Sequence, residues 1–296
     1  MNHNYKAYGL FNGMRLWGRD KFFQCKSILQ KNDKNGELVI CNSYPKSGTH
    51  LLAQILLKIE GINKWNDIIS VQSLSGVMNT ENHISYKYKS APSNSLIKSH
   101  LMCSSEIIGI LNQRNHKRIF IYRDLRDVAV SHANWVLKEP QIFLHDLYHN
   151  YYETWDRQLM ASIKGTPIGT PITSNLSQPD IATDFSRWLG WFEDENTYCV
   201  KFEDLVGERG GGNEEVRINK IKEMYRHLGR DIPNKKTLES FNSYTMDPNK
   251  SHTFRKGRQG KKGGWKEMFN EEHKKVFKNL CGDTLIKLGY EKDKNW

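Results

Sequence analysis

Short apolar runs alternate along the chain with stretches whose apolar residues recur at helical spacing. The runs at residues 38–41, 95–97, 118–122 and 197–202 predict buried strands. The first run is followed by one apolar helix face, made of Leu51, Leu52, Ile55, Leu56 and Ile59, with Gly61 as the predicted C-cap. Asp124 is predicted to cap a further helix with Leu125, Val128, His132 and Val136 on one face. Strands that alternate with helices indicate an α/β fold with a central, mainly parallel sheet flanked by helices.

The chain shows no internal repeat and no clear boundary, so we expect a single domain over residues 1–296. Residues 1–36 mix aromatic and basic side chains without a period and are predicted to be irregular. Residues 164–184 are rich in Gly, Thr, Pro and Ser, which predicts a surface loop, either a mobile insertion or a lid over a binding site. Residues 247–264 are basic and Gly-rich and predict another loop.

The composition favours an anionic partner, because the formal net charge is +11. Nucleic acid, an acidic membrane surface and a charged nucleotide would all satisfy that charge. The five cysteines are far apart and include no C-x-x-C pair, which argues against a disulfide framework or a zinc site. A signal-peptide core and a membrane-spanning apolar run are not found, so we expect a cytoplasmic protein.

The segment Tyr44-Pro45-Lys46-Ser47-Gly48-Thr49 lies between a predicted strand and a predicted helix. A Gly loop at a helix N-terminus directs backbone N–H groups and the helix dipole at a bound anion. Lys46 adds a positive charge, while Ser47, Thr49 and His50 can donate hydrogen bonds. The order differs from the Walker loop, because Lys46 precedes Gly48 instead of following it, which weakens an ATPase or kinase interpretation. A plain structural turn is the alternative.

Two further basic clusters follow. Arg123 leaves a strand end, and its planar guanidinium suits a phosphate; Ser131 lies about two helical turns further on. A surface ion pair between Arg123 and Asp127 is the alternative. Residues 255–262 carry basic side chains among glycines, which is typical of an anion-binding loop or of a nucleic-acid patch.

Lys98-Ser99-His100 comes directly after a predicted strand. A lone histidine is usually structural. At a strand's carboxyl end, opposite an anion-binding loop, His100 becomes a candidate general base, because an unperturbed pKa of ~6.5 suits proton removal at neutral pH.

These clusters, in this order, resemble the cytosolic sulfotransferase family. Residues 44–49 are similar to its 5′-phosphosulfate loop, and residues 123–131 to its 3′-phosphate segment. Arg255-Lys256-Gly257 with Gly264-Trp265-Lys266 resembles its C-terminal signature, and Lys98-x-His100 resembles its catalytic pair. The resemblance spans roughly residues 38–290 and is specific at the motifs.

The resemblance implies a single α/β domain that uses the donor PAPS (3′-phosphoadenosine 5′-phosphosulfate), releases PAP (adenosine 3′,5′-bisphosphate), needs no metal and sulfates a small molecule. The implied 5′-phosphosulfate residues are Lys46, Ser47, Gly48 and Thr49, with His50 and Leu51 following them. The implied 3′-phosphate residues are Arg123, Ser131, Arg255, Lys256 and Gly257. Phe202 and Phe241 would lie near the adenine. His100 would be the base, assisted by Lys98 and Lys46.

The chain departs from the family pattern at several places. The family loop continues Thr-Thr-Trp, whereas this one reads Thr49-His50-Leu51, so Leu51 replaces the adenine-stacking Trp and His50 is a rival to His100. Residues 261–263 are an insertion, and the usual Asp before Trp265 is missing. Residues 266–275 do not match the family's dimer motif, which leaves the oligomeric state open.

Three alternatives remain at this point: a P-loop-type nucleotide kinase, a basic nucleic-acid-binding protein, and a sulfotransferase-like protein without catalysis. The basic residues are divided among strand ends and no recognition motif appears, so we expect no nucleic-acid partner. The acceptor is predicted to meet aromatic and acidic side chains, namely Tyr148, Tyr151, Tyr152, Trp155, Asp146, Glu153 and Glu81. Such a surface suits a nitrogen-rich natural product, for example a guanidinium alkaloid. Ordinary helix packing and solvated surface charge are the alternative, which we prefer for Glu81.

Overall fold

A parallel sheet organises the chain in a computed structural model, which describes residues 37–65, 68–71, 79–114, 116–167, 177–245 and 261–296. Its strands are β1 (Leu38–Ser43), β2 (Asn63–Lys64), β3 (Ile69–Ser70), β4 (Ser95–His100), β5 (His116–Tyr122) and β6 (Thr197–Lys201). Their order is β2-β4-β1-β5-β6, β3 also pairs with β4, and every pairing is parallel. The predicted α/β fold class is therefore confirmed.

The connection between any two paired strands contains at least one helix, as parallel pairing requires. The helices are α1 Thr49–Leu56, α2 Glu81–Lys89, α3 Ser105–Leu111, α4 Leu125–Lys138, α5 His145–Leu147, α6 Trp155–Lys164, α7 Ile181–Ser186, α8 Phe202–Leu205, α9 Glu214–His227, α10 Lys235–Thr245, α11 Trp265–Met268 and α12 Glu271–Lys287. A π-helical turn covers Tyr148–Tyr152, and 3₁₀ turns cover Leu189–Phe192 and Glu208–Gly210.

The sheet separates two apolar cores, because successive side chains of a strand point to opposite faces. Ile40 and Phe120 belong to the core that includes residues of α4, α6 and α12. Val39 and Ile121 belong to the core that includes residues of α1, α9 and α10. Because both faces of the sheet are buried, each central strand contains a short continuous apolar run rather than a strict alternation of apolar and polar residues.

Three predicted boundaries are wrong. Helix α1 ends at Leu56 with Leu57 as its C-cap, so Gly61 lies in the following turn. Phe202 begins α8 instead of ending β6. The predicted loop over 164–184 is shorter, because Asp180 accepts hydrogen bonds from the backbone N–H groups of Ala182 and Thr183 and so starts α7.

Several predictions fall outside the described residues: the irregular segment 1–36, the centre of the loop at 168–176, and residues 247–260. None of the helices in the described ranges has the length and apolarity needed to cross a bilayer. Cys41, Cys103, Cys199 and Cys281 are free thiols.

Candidate functional site

The carboxyl ends of β1, β4, β5 and β6 lie along one edge of the sheet, because all four strands are parallel. In such sheets ligands bind beyond this edge. The loop at 44–48 follows β1, His100 ends β4, Arg123 follows β5, and Phe202 follows β6. Parallel pairing therefore brings three of the predicted clusters, together with Phe202, to the same edge.

The loop after β1 has a backbone that favours glycine. Gly48 has φ 106° and Lys46 has φ 68°, both in the left-handed region. A Cβ on Gly48 would lie 2.6 Å from Cδ2 of Phe202, so a side chain does not fit there. Gly48 is the N-cap of α1, and the first-turn amides of a helix form an anion-binding end.

Two buried donors at this edge have no hydrogen-bond partner among the described residues. They are Oγ of Ser47, in the loop after β1, and Nε of Arg123, after β5. An unsatisfied buried donor costs about 1–3 kcal/mol. A ligand that supplies acceptor oxygens to both positions would remove that cost, so the observed donors fit a ligand with anionic groups.

His100 is held in one tautomer by the end of β1. Its Nδ1 is 2.8 Å from the carbonyl oxygen of Ser43 and 3.1 Å from the hydroxyl of the same residue. A carbonyl only accepts, so Nδ1 carries the proton and Nε2 keeps a lone pair. The Ser43 hydroxyl in turn lies 2.6 Å from Oγ1 of Thr49, which joins this histidine to the start of α1.

The pKa of His100 is lowered to about 4, mainly by burial and further by the charges of Lys46 and Lys98. Lys98 is itself buried and lies two residues earlier on β4, so it shares a face of the sheet with His100. His100 is therefore uncharged at neutral pH, which is the protonation state that a general base requires.

Arg123 lies against Phe202 and the C-terminal segment. Its guanidinium carbon is 4.4 Å from the centre of the Phe202 ring, and Nη2 donates to the carbonyl oxygen of Lys261 at 2.7 Å. The predicted alternative, an ion pair with Asp127, is also present at 3.6 Å. Because Phe202 contacts both Gly48 and Arg123, the two predicted phosphate-binding elements share one aromatic wall.

Asp127 has a role that sequence reasoning missed. Its two carboxylate oxygens accept hydrogen bonds from the backbone N–H groups of Gly263 (2.8 Å) and Trp265 (2.9 Å). The contact fixes the segment that follows the predicted 255–257 motif to the start of α4. No signal in the sequence links these positions, which are 136 residues apart.

Arg126 reinforces the same junction. Its guanidinium lies between the rings of Trp265 and Trp296, at 4.0 and 4.3 Å from their centres. It also pairs with Asp124 at 2.7 Å and with Glu291 at 2.6 Å. The C-terminal segment is thereby attached to the helix that begins immediately after Arg123.

The remaining predicted residues are placed as follows. Leu51, Phe202 and Phe241 are all buried in the same apolar core. Ser131 is partly buried in the middle of α4, and His50 lies in the first turn of α1. Arg255, Lys256 and Gly257 lie outside the described residues.

Sequence reasoning also missed a second histidine. His132 was predicted only as part of an apolar helix face. Its Nδ1 lies 2.9 Å from Oγ of Ser162, which lies 2.9 Å from the hydroxyl of Tyr148. Close by, Nζ of Lys46 is 4.8 Å from the centre of the Trp135 ring.

The aromatic and acidic residues predicted to meet an acceptor are only partly brought together. Tyr148 is fully buried, whereas Tyr151 is exposed. Tyr152 lines a groove of about 660 Å³ between α6 and residues 177–180. The loop at 44–48 does not contribute to this groove.

Comparison with known proteins adds the following. A family model described as "Sulfotransferase domain" matches residues 37–289. Mouse sulfotransferase SULT7A1, solved in complex with PAP, is 20% identical with a TM-score of 0.58, and the match covers 88% of each chain. Retinol dehydratase, solved with retinol and PAP, is 16% identical with a TM-score of 0.47, covering 84% of this chain and 81% of that one. No curated protein sequence matches this chain.

Proposed function

This chain belongs to the sulfotransferase family, and we propose that it moves a sulfuryl group from PAPS to a hydroxyl or amine of a small molecule. One observation carries the choice of donor. Ser47 Oγ and Arg123 Nε are buried and have no hydrogen-bond partner in the described part of the chain, and they lie on separate elements that meet at Phe202. The loop at 44–48 and the segment at Arg123 are two separate cationic elements beside the same aromatic ring, which suits a nucleotide with phosphate groups at both the 3′ and the 5′ positions of its ribose. The PAP in the mouse structure is consistent with that ligand.

The residues present fit this donor in three groups. The 5′-phosphosulfate would be held by Lys46, Ser47, Gly48, Thr49 and the amides of the first turn of α1, which includes His50. The 3′-phosphate would be held by Arg123, Ser131, Arg255, Lys256 and Gly257. The adenine would lie on the apolar side of the site next to Leu51, Phe202 and Phe241, which belong to the buried core behind it. When bound, PAPS supplies a sulfuryl group whose leaving group is the 5′-phosphate.

His100 would take the proton of the acceptor at Nε2, which keeps its lone pair because Nδ1 donates to Ser43. As the acceptor oxygen or nitrogen bonds to sulfur, the bond from sulfur to the 5′-phosphate oxygen breaks, and PAP leaves. Lys46 and Lys98 would stabilise the charge that grows on the leaving oxygen. An anionic donor would also offset the two lysine charges that lower the pKa of His100, which makes it a stronger base in the complex.

A His100→Asn variant tests the base. Asparagine can still donate a hydrogen bond toward the Ser43 carbonyl but has no basic nitrogen. We expect PAP affinity, measured by titration calorimetry, to stay within a few-fold, while sulfuryl transfer falls by about 10²–10⁴-fold. His50→Asn is the matched control for the rival histidine. Loss of transfer in His50→Asn alone, with normal rates in His100→Asn, would assign the base to His50 instead.

A double variant tests the 3′-phosphate site. Arg123→Ala with Ser131→Ala should weaken PAP binding strongly, yet leave the affinity for AMP, which has no 3′-phosphate, near the wild-type value. The comparison separates loss of one phosphate contact from general damage to the site. Equal affinity for PAP in the double variant and the wild type would refute the assignment.

We propose that the acceptor is a nitrogen-rich small molecule, such as a guanidinium-bearing natural product. Support comes from the acidic residues Asp146 and Glu153, which flank the aromatic π-helical turn Tyr148–Tyr152. A screen with labelled PAPS would compare 2-naphthol, 1-butanol, tyramine and agmatine. We expect the highest rate with agmatine and a lower one after Glu153→Gln. Transfer to 2-naphthol but not to either amine would contradict this choice of acceptor.

A further inference from the structure

A buried hydrogen-bonded chain leads from the helix layer to the proposed transfer site. It begins at the hydroxyl of Tyr148, in the π-helical turn, passes through Oγ of Ser162 on α6, and ends at Nδ1 of His132 on α4. Both links are 2.9 Å long. Tyr148 is 0% exposed and Ser162 is 2% exposed, so water does not reach either hydroxyl freely.

The burial of Tyr148 determines which group donates in each of these two hydrogen bonds. Within the described part of the chain, Ser162 is the only hydrogen-bond partner of the Tyr148 hydroxyl. If Tyr148 donates to Ser162, then Ser162 donates to Nδ1 of His132, and every proton has an acceptor. The opposite direction would leave the phenolic proton buried and unpaired, which is costly. His132 is therefore unprotonated at Nδ1 and carries its proton at Nε2.

His132 lies next to the proposed site, because Trp135 contacts both His132 and Lys46. The ring centres of His132 and Trp135 are 5.9 Å apart, and Nζ of Lys46 lies 4.8 Å from the centre of the Trp135 ring. Burial, and after it the charge of Lys46, lowers the pKa of His132 to about 3. The ring is therefore uncharged at neutral pH. Nε2 points away from Ser162 and has no hydrogen bond within the described residues.

We propose that His132 is an uncharged hydrogen-bond donor to the acceptor molecule, with its Nε2–H fixed by Ser162 and Tyr148. This inference rests on the proposed sulfuryl transfer. It gives the two histidines opposite roles, because His100 presents a lone pair at Nε2 and His132 presents a proton. A hydrogen-bond donor beside the cation of Lys46 selects acceptors that present a lone pair here, such as a hydroxyl, a carbonyl or an amine that has lost its proton. Any cationic group of the acceptor would have to lie elsewhere.

The tautomer can be measured without any ligand. Two-bond ¹H–¹⁵N correlation spectra of the full chain, labelled at histidine, distinguish protonation at Nδ1 from protonation at Nε2. The His132 signals are assigned by their absence in His132→Gln. We expect Nε2–H for His132 and Nδ1–H for His100 at neutral pH. A spectrum with His132 protonated at Nδ1, or a mixture of both forms, would overturn the inference whatever the activity.

The role is tested with the best acceptor from the panel of 2-naphthol, 1-butanol, tyramine and agmatine. His132→Phe keeps a ring without a donor and should lower kcat/KM by about 3- to 10-fold, as expected for one lost hydrogen bond, with PAP affinity unchanged. His132→Gln keeps a donor and should recover most of the loss. Ser162→Ala should lower kcat/KM in the wild type but have no effect in the His132→Gln background.

These outcomes separate the two proposals. A wild-type protein that does not bind PAP in calorimetry would refute the proposed function, and the role of His132 with it. Normal PAP binding together with wild-type kcat/KM in a folded His132→Phe would refute only the role of His132. An equal effect of Ser162→Ala in both backgrounds would show that Ser162 acts on stability alone and would also overturn the inference.

Discussion

Substitution of Gly48 by alanine tests whether the loop after β1 is shaped for close contact with Phe202. The added methyl group meets two obstacles. The backbone has φ 106°, which L-residues rarely adopt, and the new Cβ would lie 2.6 Å from Cδ2 of Phe202 and 3.2 Å from Cδ1 of Ile121. Phe202 is buried and lies under the guanidinium of Arg123, so its ring cannot move aside without disturbing that contact.

The two costs can be separated with a matched control. Gly61 also has a positive φ, 79°, but a Cβ there would meet nothing within 4 Å. Gly61→Ala should therefore show only the backbone cost of about 1–2 kcal/mol. Gly48→Ala should add an overpacking cost of about 1–3 kcal/mol. At roughly 2 °C for each kcal/mol in a chain of this size, we expect Tm to fall by about 2–4 °C for Gly61→Ala and about 4–10 °C for Gly48→Ala.

Thermal unfolding with and without PAP then tests whether the close contact between Gly48 and Phe202 is needed for PAP binding. At a PAP concentration about 100 times Kd, the ligand should stabilise the wild type by about 2.7 kcal/mol. Gly61→Ala should keep that stabilisation, because its position lies beyond the C-terminal end of α1. Gly48→Ala should lose it, because the loop must move away from Phe202. Equal Tm values for the two variants, or an unchanged PAP effect in Gly48→Ala, would refute the reasoning.

Three further predictions follow from the same junctions. Arg126→Ala should lower the free energy of unfolding by about 3–5 kcal/mol in urea, because Asp124 and Glu291 lose a buried partner. The control Lys294→Ala removes an exposed pair with Asp283 and should change that free energy by less than about 1 kcal/mol. Asp127→Asn should weaken PAP binding more than AMP binding in calorimetry, because an amide has one acceptor oxygen for the two N–H groups of Gly263 and Trp265. Stability should fall as the pH drops from 6.5 to about 4, because the unfolded chain binds a proton that folded His116, with its pKa lowered to about 4 by burial, does not. In urea unfolding at a series of pH values, His116→Gln should reduce this slope by the contribution of one proton, because His100 and His132, whose pKa values are also lowered, keep theirs. An unchanged slope would contradict the assignment.

The sheet and its functional edge could be predicted because a strand that is buried on both faces needs consecutive apolar residues, which are visible in the sequence. Each central strand contains a short continuous apolar run, at residues 38–41 in β1, 96–97 in β4 and 119–121 in β5, and polar residues follow each run near the end of the strand. Parallel pairing then places those ends together, whatever lies between them in the chain. The juxtaposition of the loop at 44–48, His100 and Arg123 therefore follows from the pattern of apolar and polar residues and the topology alone.

The missed boundaries have local causes that an apolar run does not record. Phe202 continues the run of β6, but its ring packs against Gly48 and Arg123 as the first residue of a short helix. The start of α7 depends on one carboxylate, that of Asp180, inside a segment whose Gly, Pro and Thr content predicts a loop. Asp127 looks like any first-turn acid of a helix, and only the fold brings Gly263 and Trp265 to it.

The histidines mark the limit of sequence reasoning most clearly. His50, His100 and His132 carry the same chemical group, and in the sequence His100 is favoured only by its position at a predicted strand end and by the resemblance of Lys98-x-His100 to a family motif. What separates His100 from His132 is the atom that meets Nδ1. A backbone carbonyl, contributed by Ser43, can only accept, so it fixes the proton on Nδ1 and frees Nε2 as a base. The Ser162 hydroxyl accepts a hydrogen bond from the buried phenol of Tyr148 and therefore donates its own proton to Nδ1 of His132. The ring proton of His132 is then on Nε2. Both partners come from distant parts of the chain. Only folding therefore makes Nε2 an acceptor in His100 and a donor in His132.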